Sequence, residues 1–303
     1  MISQAALAAF PNRKQVDRMY RIFTDNAANL PLDMIRRWEL GVVEIGCYVE
    51  GEAMDFSMPF DGGKFYNDMR RGMDVRTAMP SIAAFTDAFE PVLARGEDVL
   101  YVGMSGGISG TAALAHSVAR ELKEEYPDRK IVTIDTRGAS LGEGIPVLYA
   151  ARLREEGRDF DEVVSLTEKY CDDMWQVFTV DDLSYLRKTG RLFSAAVKVT
   201  NALNVKPILV GDDEGHIVLR QVTIGRRRSL ETLAARYRDK CSDKSAPVGL
   251  AHADSAEDAR YVVDKLIQYG CTGEITTVMY EPVTGSHVGP GTVALFFSGT
   301  GRP

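Results

Sequence analysis

The chain has 303 residues, 45% of them hydrophobic, and its 36 basic and 43 acidic residues leave a net charge of −7. That length and apolar content support two domains, each with a core of its own, while the acidic balance argues against a nucleic-acid partner recruited by general electrostatics. No run of about 18 apolar residues occurs, so no membrane span is expected.

The four cysteines (Cys47, Cys171, Cys241 and Cys271) form no C-x-x-C pair. They suggest neither a disulfide framework nor a zinc site, and read as reduced thiols of a cytoplasmic protein. Near the N-terminus the basic residues follow the apolar ones, the wrong order for a secretory signal. Ser3 to Arg21 reads as an extra helix leading into a first strand, Met19 to Phe23, which ends in Thr24-Asp25-Asn26. Leu30-Pro31-Leu32 opens a helix to about Leu40, and Val42 to Val49 reads as the next strand. The polar stretch Glu50 to Arg76 holds a turn and a short amphipathic helix around Phe60 to Tyr66, and Thr77-Ala78-Met79-Pro80-Ser81 starts a helix through Leu93 with Thr77 and Ser81 as candidate caps.

Asp98 to Gly103 is a short buried strand, and the Ala/Leu-rich run from Thr111 to about Glu124 is a helix. Lys130 to Asp135 is a strand and Leu141 to Glu156 a helix. This alternation predicts a parallel sheet covered on both faces, with ligands gathered at the carboxyl ends of its strands. Thr24-Asp25, Ser105 and Asp135-Thr136 all fall there.

The texture then changes. Asp159 to Met174 is a helix, Gln176 to Val180 a strand, and Asp181-Asp182 caps a short helix. A basic turn, Lys188 to Leu192, precedes an apolar helix to Leu203 and a strand around Lys206 to Val210. Gly211 to Gly215 turns into Ile217 to Gln221, a hairpin signal. Ser229 to Cys241 and Ser255 to Tyr269 are helices, the second with a Ser255-x-x-Asp258 capping box. They flank the strand Val248 to Ala251, and strands Glu274 to Tyr280 and Val293 to Phe297 close a sheet around the loop Gly285 to Gly291. The expected fold is α/β with two domains. Residues 1–160 form a mostly parallel sheet with helices on both faces and 1–18 as the extra helix; residues 161–303 form an α+β domain with antiparallel strands.

The loop Gly103-Met104-Ser105-Gly106-Gly107-Ile108-Ser109-Gly110-Thr111 carries the chemistry. A P-loop is excluded, because Gly110 stands where its Lys would be. Gly103 to Gly107 fits the G-x-S-x-G of a nucleophile elbow, which would make Ser105 an acyl-transfer nucleophile with Asp135 and His287; against it, Ile108-Ser109-Gly110 prolongs the loop before the helix. A non-catalytic cradle for a carboxylate or phosphate and a plain strand-to-helix turn are the other two readings. Of the remaining histidines, His252 reads as structural, and His116 and His216 as outward-facing.

Taken together, Thr77-x-x-Pro80-Ser81, the Ser105 to Thr111 loop, Lys188-x-Gly190-Arg191, Asn204-x-Lys206-Pro207 and His287-x-Gly289-Pro290-Gly291 resemble the DegV family of fatty-acid-binding proteins, which includes the lipid-carrying subunits of bacterial fatty acid kinases. The likeness runs from about Ile22 to Phe297. It implies a cytoplasmic, monomeric, non-enzymatic carrier without a cofactor. A long-chain fatty acid such as palmitate or oleate would place its acyl chain in an apolar tunnel and its carboxylate at the domain junction, on Thr77, Ser105 and His287 with Gly106, Gly107, Arg191 and Arg226 nearby. A separate kinase subunit would be the partner and peripheral membrane contact is compatible; a lipid sensor without a kinase is the duller version.

Ala78, Gly106 and Asn26 stand where the family usually has hydroxyls, and Ile224 where it is often basic. Losing three neutral hydrogen bonds would cost about 2–4 kcal/mol, against an acyl-chain burial term on the order of 10 kcal/mol at about 0.8 kcal/mol per CH₂. Lipid binding is therefore expected to survive.

Overall fold

Among residues 20–193 and 204–302, which the computed structural model describes, the patterning resolves into thirteen strands and ten α-helices. In the first part these are β1 (Tyr20–Asp25), α1 (Leu32–Arg37), β2 (Gly41–Val43), β3 (Gly46–Val49), β4 (Glu52–Ala53), α2 (Gly62–Arg70), β5 (Val75–Ala78), α3 (Ile82–Ala94), β6 (Asp98–Gly103), α4 (Thr111–Glu125), β7 (Ile131–Asp135), α5 (Leu141–Glu155) and α6 (Phe160–Asp172). Then follow β8 (Met174–Thr179), α7 (Ser184–Lys188), β9 (Val205–Gly211), β10 (Ile217–Ile224), α8 (Arg226–Lys240), β11 (Val248–His252), α9 (Ala256–Gln268), β12 (Ile275–Met279), α10 (Pro282–Val288) and β13 (Val293–Ser298). The expected N-terminal helix up to Met19 and the apolar helix from residue 194 to 203 lie outside the described residues. Tyr20 and Arg21, expected to end the first of them, open β1 instead.

The α/β class holds. Strands β2, β1, β6 and β7 form, in that order, an all-parallel sheet. Alternation along β6 explains its two covered faces: Val99 and Tyr101 meet Phe85 and Phe89 of α3 and Ala115 and Val118 of α4, while Leu100 and Val102 meet Ala150 and Ala151 of α5 and Phe160 and Val163 of α6. The second sheet runs β10-β9-β8-β13-β11-β12 and is antiparallel except for the β11–β12 pair. On β8, Trp175 and Val177 point to α8 and α9; Met174 and Phe178 point the other way, toward Leu141 and Ile145 at the start of α5. Helix α5 thus packs between the two sheets, which is why its first three turns are buried nearly all round.

Four expectations about elements need correction. The strand foreseen from Val42 to Val49 is two strands in two sheets: β2 joins β1, then Asn26 grips the Ile45 backbone with its side-chain amide (Nδ2 to Ile45 O 3.1 Å, Ile45 N to Oδ1 2.9 Å) and turns the chain. β3 instead builds a small antiparallel sheet with β4 and β5. Thr77 caps no helix; it lies in β5, and Ser81 caps α3 by accepting from Ala84 N at 3.1 Å. The Ser255–Asp258 capping box does not form, since Ser255 makes no side-chain cap bond and Asp258 accepts from Arg226 Nε at 2.7 Å. The supposed loop after Tyr280 contains α10, nucleated by the Glu281 carboxylate as N-cap and Pro282 at the first helical position.

Candidate binding site

A cavity of about 950 Å³, its open mouth included, lies between the inner face of the second sheet and the carboxyl ends of the parallel strands, within the size range of small-molecule sites. Phe178 and Phe296 from the sheet, Leu186 from α7, Ile217 from β10, Val283 and Val288 from α10, and Ile45 and Met104 supply its apolar wall. Thr77, Ser105, Ser109, Ser140, Arg191 and His287 are among its polar lining.

Two of these are joined directly. Thr77 Oγ1 on β5 lies 2.9 Å from His287 Nε2 on the last turn of α10. The α10 cap fixes that imidazole: Glu281 accepts from Val283 N, from Thr284 N (2.7 Å) and from the Thr284 hydroxyl. Burial, reinforced by the nearby Arg191 charge, pushes the His287 pKa down to about 4, so the ring is neutral at neutral pH. In the tautomer with its proton on Nε2, His287 donates to Thr77 Oγ1 and leaves the threonine proton for another acceptor. Arg191 donates Nε to Ile108 O at 3.4 Å and Nη1 to Thr189 O, which ties the basic turn after α7 to the loop after β6.

Ser105 is fully buried and its hydroxyl is in use. Oγ donates to Gly215 O at the tip of the β9–β10 hairpin (2.8 Å) and accepts from Gly107 N (3.1 Å). Gly106 and Gly107 do not line the cavity. Gly106 N donates to Asp135 Oδ2 at 3.0 Å, and a Cβ on Gly107 would stand 2.6 Å from the Gly215 carbonyl carbon, so glycine here permits backbone-to-backbone contact. Arg226 is also outside the lining. It bonds Asp258 (2.7 Å) and Gly291 O (2.6 Å) and faces Asp181 at 3.5 Å.

The Ser105–His287–Asp135 combination is not assembled as a hydrolase needs. Ser105 bonds to Gly215 and Gly107, His287 to Thr77, and Asp135 to the amides of Gly106 and Arg137, so no base touches the serine. The departures Ala78, Gly106 and Asn26 lie outside the cavity lining, and Ile224 is 71% exposed. The hydroxyl loss weighed above therefore does not fall on the cavity wall. His116 is exposed, and His252 accepts from Ser255 N at 3.3 Å. His216, expected to face outward, is half-buried and stacked on Phe193 with ring centroids 3.9 Å apart, because the hairpin folds back over the chain there.

Sequence reading found the hairpin but missed the contact of its tip with the loop after β6, and it missed Gln176. Gln176 accepts from Ala139 N (3.3 Å) and donates to Arg137 O (2.8 Å), shaping the loop before α5. It also missed a buried acidic group behind the cavity. Asp25 accepts from Ala27 N (2.9 Å), Tyr101 OH (2.6 Å) and Met104 N (3.2 Å). Glu143 accepts from Thr24 Oγ1 at 2.8 Å, and its other oxygen has no hydrogen-bond partner among the described residues. Burial raises the pKa of both, and that of Glu281 to about 7, with Asp25 adding to the rise at Glu143 and Glu281.

Residues 19–300 match a family model described as an uncharacterised protein of the DegV family. A DegV domain-containing protein of Clostridium perfringens is 32% identical over 285 residues, 93% of this chain and 98% of that one. Among solved structures, a DegV family protein from Thermus thermophilus described for its fatty acid binding superposes with a TM-score of 0.84 at 25% identity, covering 93% of this chain and 100% of its own. A fatty acid binding DegV family protein from Streptococcus agalactiae gives 0.82 at 25% identity, covering 93% and 99%.

Proposed function

The chain belongs to the DegV family, and from that premise we propose that it binds a long-chain fatty acid, with the acyl chain in the apolar cavity and the carboxylate at its polar mouth. The observation that carries this is the Thr77–His287 pair in a cavity whose wall is largely apolar. A carboxylate accepts hydrogen bonds and donates none, and here a threonine proton propped by a neutral imidazole, with the Arg191 guanidinium beside it, offers donors and positive charge. The tail supplies most of the affinity, about 0.8 kcal/mol per buried CH₂, and the head group sets its direction. The two solved relatives at 25% identity, both described by their fatty acid binding, support the same reading.

In the finer version, palmitate or oleate is carried with its carboxylate toward the surface near Arg191, where a separate kinase phosphorylates it. The test has two stages. Native mass spectrometry of untreated protein should show a co-purified mass of fatty-acid size, and ligand-free protein should take up oleate or palmitate; protein that does neither contradicts the reading. Reconstitution of loaded protein with ATP and a fatty acid kinase catalytic subunit should then yield acyl phosphate. Binding without phosphorylation leaves a lipid carrier or sensor.

A further inference from the structure

We infer that the β9–β10 hairpin tip is a clasp that the bound head group must open, so that loading of the cavity is reported on the surface. This rests on the fatty-acid reading above and goes beyond it. Ser105 has one hydroxyl proton, and it points at Gly215 O, 2.8 Å away. A carboxylate and a backbone carbonyl are both acceptor-only, so they compete for that proton. When the head group takes it, Gly215 O loses its donor.

Besides that bond, two arginines reach the tip from elsewhere in the chain. Arg137 Nη1 donates to Asp213 O at 3.3 Å, and Arg302 Nη1 donates to Asp212 O at 3.3 Å while its Nη2 bonds Thr136 O and Cys171 O. These reach the base and side of the turn. Among the described residues the Ser105 bond alone secures its last carbonyl, where Gly107 and Gly215 (φ +80°) let the two backbones touch. Outward from the same tip, the His216 ring stacks on Phe193, and Phe193 N donates to Ile217 O at 2.9 Å. Releasing Gly215 therefore loosens the seat of the His216–Phe193 stack, two residues from Arg191. An empty and a loaded protein would differ at residues 191–193 and 212–217, a surface a partner can read.

Hydrogen exchange with and without saturating oleate tests this, with oleate occupancy confirmed on the same samples by native mass spectrometry. Amides of 212–217 and of Phe193 should exchange several-fold faster in the loaded protein. Ser105→Ala should exchange fast without ligand and change little on loading. Gly107→Ala pushes the tip away while keeping the serine hydroxyl, so it too should exchange fast when empty, and it should bind oleate roughly fivefold more tightly, because no clasp has to be broken. Oleate bound with unchanged or slowed exchange at the hairpin overturns the clasp and leaves the fatty-acid reading standing. So does Gly107→Ala protein that exchanges fast but binds oleate no more tightly than wild type. Absence of oleate binding in the wild type overturns both.

Discussion

Two polar groups, one buried and one half-buried, flank the carboxyl ends of the parallel strands, and they are built on opposite principles. Behind the cavity, Asp25, Glu143 and Glu281 gather acceptors, and the protein answers all but one Glu143 oxygen with its own donors: Tyr101, Thr24, Thr284 and the amides of Ala27, Met104 and Val283. At the mouth, Thr77, His287 and Arg191 gather donors, and with the His287 proton on Nε2 the Thr77 hydroxyl proton is left unspent. Groups closed on themselves hold the fold, whereas groups left open await a ligand. The acids also serve the site at one remove, since Glu281 caps the helix that carries His287.

The largest effect should come from opening the closed group. Asp25→Leu strands the Tyr101 hydroxyl and two buried amides at once, and each orphaned donor costs about 1–3 kcal/mol. Removal of a carboxyl that is itself costly to bury offsets part of this, so a net loss of about 3–5 kcal/mol is expected, read from urea denaturation at pH 7. A loss below about 1 kcal/mol would mean that those donors find other partners and that the group is not structural.

Thr77→Val comes next and separates the two groups, because it removes a donor from the open one while keeping shape. Its hydrogen bond to a charged acceptor is worth about 1.5–3 kcal/mol, so oleate should bind roughly 10- to 150-fold more weakly. Stability in urea should fall by about 1 kcal/mol, less than for Asp25→Leu, because only the His287 Nε2 proton loses its acceptor. Unchanged affinity would move the head group elsewhere in the cavity.

Strand β6 and the strand–helix rhythm up to α5 were legible because a short apolar run followed by an Ala/Leu-rich run is a local pattern. So was the hairpin, from the Gly211 to Gly215 turn. The split of Val42 to Val49 was not, since it depends on the Asn26 side chain, some twenty residues away, reaching Ile45. Helix α10 had a local signal, Glu281-Pro282, but the glycines that follow it outweighed that signal in a reading by composition. Within the site, hydroxyl and imidazole types could be picked out from motif resemblance, yet the Ser105–Gly215 bond joins residues 110 positions apart. No spacing rule reaches that far, and only the packing of the hairpin on the loop shows that the serine is already engaged. Arg226 shows the converse: the resemblance placed it near the head group, but it pairs with Asp258 and faces Asp181.

Glu143→Gln sharpens the comparison through pH. Burial raises the Glu143 pKa well above its ordinary value of 4.5. Above pH 4.5 the folded state therefore keeps a proton that the unfolded chain gives up, and stability falls as pH rises toward and through the folded-state value. Glutamine keeps the acceptor for Thr24 and removes the titration. Between pH 5 and 8 the variant should lose less stability than wild type, gaining on it as pH rises, as followed by urea midpoints. Parallel pH profiles would place the load on Asp25 or Glu281 instead.

The smallest effect is expected where the chain departs from the family's usual residues. Ala78→Ser restores a hydroxyl to β5, but successive strand residues point to opposite faces. Thr77 turns inward to His287, so position 78 turns outward, where Ala78 is exposed and absent from the cavity wall. Oleate affinity should stay within about twofold, since a hydroxyl that remains in water exchanges no hydrogen bond on binding. A gain of tenfold or more would show that the ligand's head group passes over the rim of β5, and the division between an open and a closed polar group would have to be redrawn to include the outer face of that strand.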